Sequence, residues 1–227
     1  MEIINIINQV VGWLAAVITV IIGLPQLIKL LKTKNSSGIS LISNWLFFIG
    51  LICWTTYGSF AFENGKKLYQ TAVPNALSTM VYGMMLFLVY KYSKNINSKK
   101  IIFIGSLIAL LTLLNTISFT IGMIKTDWGF QNQNAKLICS IITGALTTFA
   151  FTPQTLQSII YKDVKNVSIG MMLILVTLNL LWIVFWSTIY SITVLMFLIY
   201  QVISLVLSLT MLIICLIYKN KNETQVA

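Results

Sequence analysis

The chain has 227 residues, 58% of them hydrophobic and only 9% charged, with a net charge of +10. A soluble domain of this size carries about a quarter charged residues, so a water-soluble fold is excluded and a single all-α membrane domain over residues 1–227 is expected. The positive charge does not point to nucleic acid, because every one of the 15 basic residues is Lys and they are scattered between apolar spans, with no basic helix or aromatic platform.

Seven transmembrane helices are predicted. The first runs from Val10 to Leu31, the second from Ile39 to Phe62 and the third from Thr71 to Tyr90. The fourth covers Ile101–Ile124, the fifth Lys136–Ile160, the sixth Val167–Ile189 and the seventh Ile192–Tyr218. Residues 167–218 carry no charge and are too many for one crossing of about 20 residues. The Ser and Thr cluster between Ser187 and Thr193 marks the split. Met1–Val10 contains Glu2 and no Lys or Arg, unlike a signal-peptide start, so the first span is expected to be retained.

The chain also repeats itself. Sliding it by the distance from Pro25 to Pro153, 128 residues, superposes Thr19 on Thr147, Gln26 on Gln154, Lys34 on Lys162, Ser40 on Ser168 and Trp54 on Trp182 without a gap. Each Pro-Gln pair lies within an apolar span. A proline there lacks a backbone donor and breaks the helix, which lipid tolerates only where protein or a wet cavity satisfies the freed groups. Two such breaks at matching positions predict a transporter built from internal repeats. The fourth span has no counterpart and reads as a linker helix, residues 101–124. An odd triple plus one linker restores the chain's direction, so the triples 10–92 and 136–219 should be parallel. Lys29, Lys32, Lys34, Lys91, Lys94, Lys99, Lys100, Lys162, Lys165, Lys219 and Lys221 fall on one side, against Lys66, Lys67, Lys125 and Lys136 on the other. The positive-inside rule puts the first side and the C-terminus in the cytoplasm, with the N-terminus outside, in a multi-pass cell-membrane protein.

PQLIKLLKTKNSSGIS from Pro25, Trp54-Thr-Thr-Tyr-Gly58 and Pro74-Asn75 resemble the PQ-loop superfamily, and within it the SWEET and SemiSWEET sugar facilitators. The resemblance covers both triples. The second keeps Pro153-Gln154 and Trp182 but has Phe185-Trp186 and Tyr200-Gln201 in place of the Tyr-Gly and Pro-Asn pairs. The resemblance implies that Pro25 and Pro153 are hinges supported by Gln26 and Gln154. It implies a substrate pocket of Trp54, Trp182, Asn75 and Gln201, the last by a connection two residues shorter.

The residues also speak for themselves. Asn75, Ser78, Thr79 and Tyr82 share one helical face, as do Gln201, Ser204 and Ser208, and Asn179, Trp182 and Trp186. Such polar stripes serve either as interhelical hydrogen-bonding contacts or as a pocket lining. A side-chain amide at Asn75 offers donors and an acceptor to a hydroxylated ligand. Trp54 and Trp182 fit a pocket or an interfacial belt; Trp13, Trp45 and Trp128, near span ends, fit the belt. Thr19 and Thr147 could cap a carbonyl freed at the break or touch ligand.

There is no His, and Glu2, Glu63, Asp127, Asp163 and Glu223 fall in loops or tails, leaving no buried charge. Lys136, at the start of a span, is expected to snorkel to the surface. Cys53, Cys139 and Cys215 lie in spans at no metal spacing. No catalytic residues, metal site or cofactor are therefore expected, and no enzyme. The expected function is uniport of a small neutral solute, a sugar above all, across the bilayer by alternating access. A vitamin, nucleoside or amino-acid carrier is the alternative, a receptor or scaffold is the third class, and the oligomeric state is left open.

Overall fold

The computed structural model describes residues 2–36, 39–93, 96–161 and 169–224, apart from the side chains of residues 154, 157–159, 161 and 219–224. The expected positions Lys94, Lys162, Asp163, Lys165 and Ser168, and the Gln154 side chain, lie outside the described residues. In chain order the elements are α1 (Glu2–Ile21), α2 (Leu24–Thr33), α3 (Leu41–Phe60), the strands β1 (Phe62–Glu63) and β2 (Lys66–Lys67), α4 (Tyr69–Lys91), α5 (Ser98–Ile124), α6 (Gln133–Phe149), α7 (Thr152–Tyr161), α8 (Ile169–Ser187) and α9 (Ile192–Thr224).

Both prolines end a helix in the same register. α1 stops at Ile21, four residues before Pro25, and α6 stops at Phe149, four residues before Pro153. The residue four back is where a proline ring meets a carbonyl and where its missing N–H would have bonded. Ile22-Gly23 and Ala150-Phe151 form the two breaks, and α2 and α7 resume the span beyond them. Among the described residues six stretches reach membrane-spanning length and hydropathy, including Glu2–Thr33. The seventh unit, Gln133–Tyr161, is divided by its break into helices of 17 and 10 residues.

The helices form two parallel three-helix repeats. In the first, α4 packs between α1 and α3; in the second, α9 packs between α6 and α8. Across the junction α3 packs on α6 and α1 on α8, each the repeat image of the other. The linker α5 lies outside, on α3 and α4 of the first repeat. Ser40, Asn97 and Asn132 cap α3, α5 and α6 by accepting backbone N–H groups with their side-chain oxygens.

The ends of two spans depart from expectation. The second stops at Phe60 and gives way to an antiparallel hairpin, Phe62 opposite Lys67 and Glu63 opposite Lys66. Its turn is Asn64-Gly65, both with positive φ, at 50° and 73°, the pattern that suits two-residue hairpin turns. That dipeptide was the available sign of the hairpin. The first span begins at Glu2 rather than near Val10.

Candidate solute pathway

The junction of the repeats is an aromatic layer. Trp186 of α8 stacks on Trp54 of α3 (centroids 5.9 Å, planes 21° apart) and on Trp182 (5.8 Å, 20°). Phe197 of α9 tilts against both Trp54 at 4.4 Å and Trp186 at 4.9 Å. Each repeat-related indole then donates to a hydroxyl of the opposite repeat. Trp54 Nε1 donates to Thr147 Oγ1 at 3.1 Å, and Trp182 Nε1 to Thr19 Oγ1 at 3.3 Å. The threonines donate in turn to carbonyls of their own helices, Thr19 to Ala15 and Thr147 to Thr143. Neither caps a carbonyl freed at the break, one of the two roles considered for them. The carbonyl of Thr19 itself, just before the first break, accepts the Ser78 hydroxyl at 3.2 Å.

The expected amides make their hydrogen bonds to groups other than the tryptophans. Asn75 is buried, and its Nδ2 donates to the Thr71 carbonyl one turn back at 2.7 Å. Gln201 donates to Asn179 Oδ1, and Asn179 Nδ2 donates to Ser208 Oγ at 3.0 Å. Among the described residues no hydrogen bond or ring contact joins Asn75 or Gln201 to either tryptophan or to the other amide. Thr79 donates within its own helix to Asn75 O. Trp13 and Trp128 are exposed, as belt residues are, whereas Trp45 donates to the Tyr90 hydroxyl at 3.0 Å.

Aromatic contacts also link the two breaks. The Tyr82 ring lies against Gly23, where a Cβ would come within 2.7 Å of it. Phe47 tilts on Tyr82 at 4.7 Å and on Phe151, in the other break, at 5.2 Å. Seven residues of α3 separate Phe47 from Trp54, about 10 Å along the axis.

The hairpin end holds charge that the sequence reading did not foresee. Glu63 and Lys136 are 4% and 7% exposed, and Lys136 Nζ lies 2.8 Å from Glu63 Oε1. The same oxygen accepts the Tyr57 hydroxyl and, at 2.6 Å, the Thr193 hydroxyl, while Lys136 also donates to the Phe62 carbonyl at 2.8 Å. Glu63 is therefore a buried charge, and Lys136 does not snorkel. The reason is geometric: the Asn64-Gly65 turn folds the hairpin back so that Glu63 meets the start of α6 and of α9. Burial acts to raise the Glu63 carboxyl, but hydrogen bonds from Lys136, Thr193, Tyr57 and Ser191 outweigh it and hold it below its ordinary value. Lys67, also buried, donates to the carbonyls of Gly122 and Lys125 at the end of α5. Its burial pulls it below the usual lysine value, against an opposing pull from Asp127.

A groove of about 570 Å³ between α4 and α5, lined by Met84, Phe87, Ile108 and Leu113 among others, faces away from the junction and touches none of the expected pocket residues.

The sequence profile described as the PQ loop repeat matches residues 7–66, which hold the first break, Trp54 and Glu63. An uncharacterized protein of Methanocaldococcus jannaschii is 40% identical over 73 residues, 32% of this chain and 73% of that protein. The chain belongs to the PQ-loop family. Two further relatives are proteins called sugar transporter SemiSWEET. The one from Leptospira biflexa is 33% identical over 51 residues, 22% of this chain, and the one from Escherichia coli 40% identical over 47 residues, 21% of this chain. These matches span 60% and 53% of the two SemiSWEET chains. The fold of a eukaryotic SWEET transporter superposes with a TM-score of 0.71 at 12% identity, over 96% of this chain and 99% of that one. This PQ-loop protein thus has the SWEET fold and is a multi-pass membrane protein.

Proposed function

We propose that the chain is a sugar carrier working by facilitated diffusion, and not an enzyme. The observation that carries this reading is the crossed pair Trp54–Thr147 and Trp182–Thr19. It ties an indole of each repeat to the helix that breaks in the other. A solute that stacks on an indole and competes for that hydroxyl is thereby coupled to both breaks. Indole faces suit the apolar C–H surface of a sugar, and nearby amides and hydroxyls suit its polar rim. Two relatives bear the name of sugar transporters.

In this reading residues 10–92 and 136–219 rock about the junction, and the linker 101–124 rides on the first repeat. Pro25 and Pro153, with Gln26 and Gln154, are the hinges; Trp54, Trp182, Asn75 and Gln201 line the solute's path. The hairpin end faces outside, where Tyr57, Glu63, Lys136 and Thr193 close the mouth; the Phe47–Phe151 contact closes the cytoplasmic one. The carrier is a uniporter. Glu63 is held ionised by its partners, so it has no proton to exchange near neutral pH.

Flux of labelled hexoses into proteoliposomes, with and without an imposed pH gradient, tests this. Saturable downhill flux insensitive to the gradient is expected. Uphill accumulation driven by the gradient overturns uniport. The three-indole stack also favours a flat aromatic solute such as a nucleoside. Nucleoside flux without hexose flux would select that second reading.

A further inference from the structure

We propose that Trp186 sets the size of the solute, restricting this carrier to a single sugar ring. The inference rests on the sugar-carrier reading above. Trp186 has no like partner in the repeat: the position that superposes on it is Gly58. Gly58 must stay bare, since a Cβ there would come within 2.5 Å of the Ala72 backbone nitrogen. In the second repeat the same position carries an indole that turns into the junction and is 1% exposed.

Its neighbours decide what it does there. One face stacks on Trp54 and another contact stacks on Trp182, with centroids 5.9 and 5.8 Å apart. At such separations offset rings are in contact and nothing slides between them. Phe185 and Phe197, at 4.8 and 4.9 Å, hold the indole in place. Both tryptophans that the carrier reading gives to the solute thus have one side already occupied by Trp186. A single pyranose can use the sides that remain. A second ring extending from it between the two repeats would have to enter the volume of the Trp186 indole, which is similar in size to a pyranose. In the absence of that indole the junction would hold two rings.

The test is flux of a labelled monosaccharide (glucose) and a labelled disaccharide (maltose) through the full chain in proteoliposomes. In the wild type, maltose flux is expected at least about tenfold below glucose flux, as pocket-size discrimination usually gives. In Trp186→Gly the ratio of maltose to glucose flux is expected to rise about tenfold or more. Trp186→Leu keeps an apolar side chain against loss of folding and is expected to raise the ratio by less. A wild type that carries maltose as fast as glucose overturns the proposal without any variant. Glucose flux with an unchanged ratio in both variants overturns it while leaving the carrier reading intact. No sugar flux at all in the wild type overturns the carrier reading, and this proposal with it.

Discussion

Trp54 and Thr147 are hydrogen-bonded across the junction of the two repeats at 3.1 Å, and their repeat images Trp182 and Thr19 make the same bond at 3.3 Å. Each threonine lies six residues before the proline of its break. Any swing of one broken helix therefore moves the acceptor of an indole that belongs to the opposite repeat.

Thr19→Val and Thr147→Val each remove an acceptor while keeping the shape of the side chain. Each is expected to lower thermal stability modestly, by about 1 kcal/mol. Solute flux should fall by a larger factor than stability accounts for, and to a similar extent in both variants. Flux in proteoliposomes beside melting curves in detergent checks this. A loss of stability with normal flux would make these bonds plain helix contacts.

Lys136→Met leaves Glu63 buried without its cation. Removing one member of a buried pair typically costs about 3–5 kcal/mol, so a marked drop in melting temperature is expected. The double variant Glu63→Gln with Lys136→Met should regain much of it. A double-mutant cycle without coupling would show that the pair at 2.8 Å contributes nothing beyond its two side chains.

Acid should loosen the same end. The folded protein holds the Glu63 carboxyl below its ordinary 4.5, so it binds fewer protons than the unfolded chain in that range. The stabilisation is complete above 4.5 and is lost as the pH falls through the lower folded value. Melting temperatures measured from neutral pH to about pH 3 should show a decline that is shallower in Glu63→Gln. Parallel curves for the two proteins would assign the acid response elsewhere.

Pro25→Ala returns a backbone donor and relieves the clash with Ile21, so α1 and α2 should join into one helix. Slower exchange with solute binding retained is the expected result, read by flux and by quenching of tryptophan fluorescence. Equal loss of both would make the break a requirement of the fold and not a hinge.

Asn75→Ala and Gln201→Ala should each reduce flux far more than expression. The polar groups they leave behind differ, however. Among the described residues the Asn75 side chain bonds only a carbonyl of its own helix, whereas loss of Gln201 unpairs Asn179 Oδ1. Gln201→Ala should therefore be the less stable of the two, by about 1–3 kcal/mol for an unpaired buried acceptor. Normal flux in Asn75→Ala would remove Asn75 from the solute path.

Much of the architecture was legible because it rests on local rules that the chain obeys twice. Proline at matching positions specifies where α1 and α6 must end, and the Ser/Thr cluster at 187–193 marks the turn between α8 and α9. What was not legible depends on contacts distant in sequence. Glu63 and Lys136 stand 73 positions apart beside span ends, where charges ordinarily meet water; only the folded hairpin brings them together. Asn179 shared a helical face with Trp182, but its pairing with Gln201 depends on how α8 turns against α9. Trp186 was visible on the face of Trp182 and as a departure from the first repeat, but its stacking on Trp54 depends on how α8 meets α3 across the junction.

The two breaks share a register but not a neighbourhood. Gly23 admits the Tyr82 ring against bare backbone, while Phe151 at the matching place reaches across to Phe47. Two identical half-length chains meeting on a symmetry axis would have to present the same residue twice, either two glycines leaving a gap or two phenylalanines contesting one space. Joining the halves through α5 frees each from its twin. A covalent tandem can thus evolve one yielding knee and one plugged knee, and its two conformational strokes need not be mirror images.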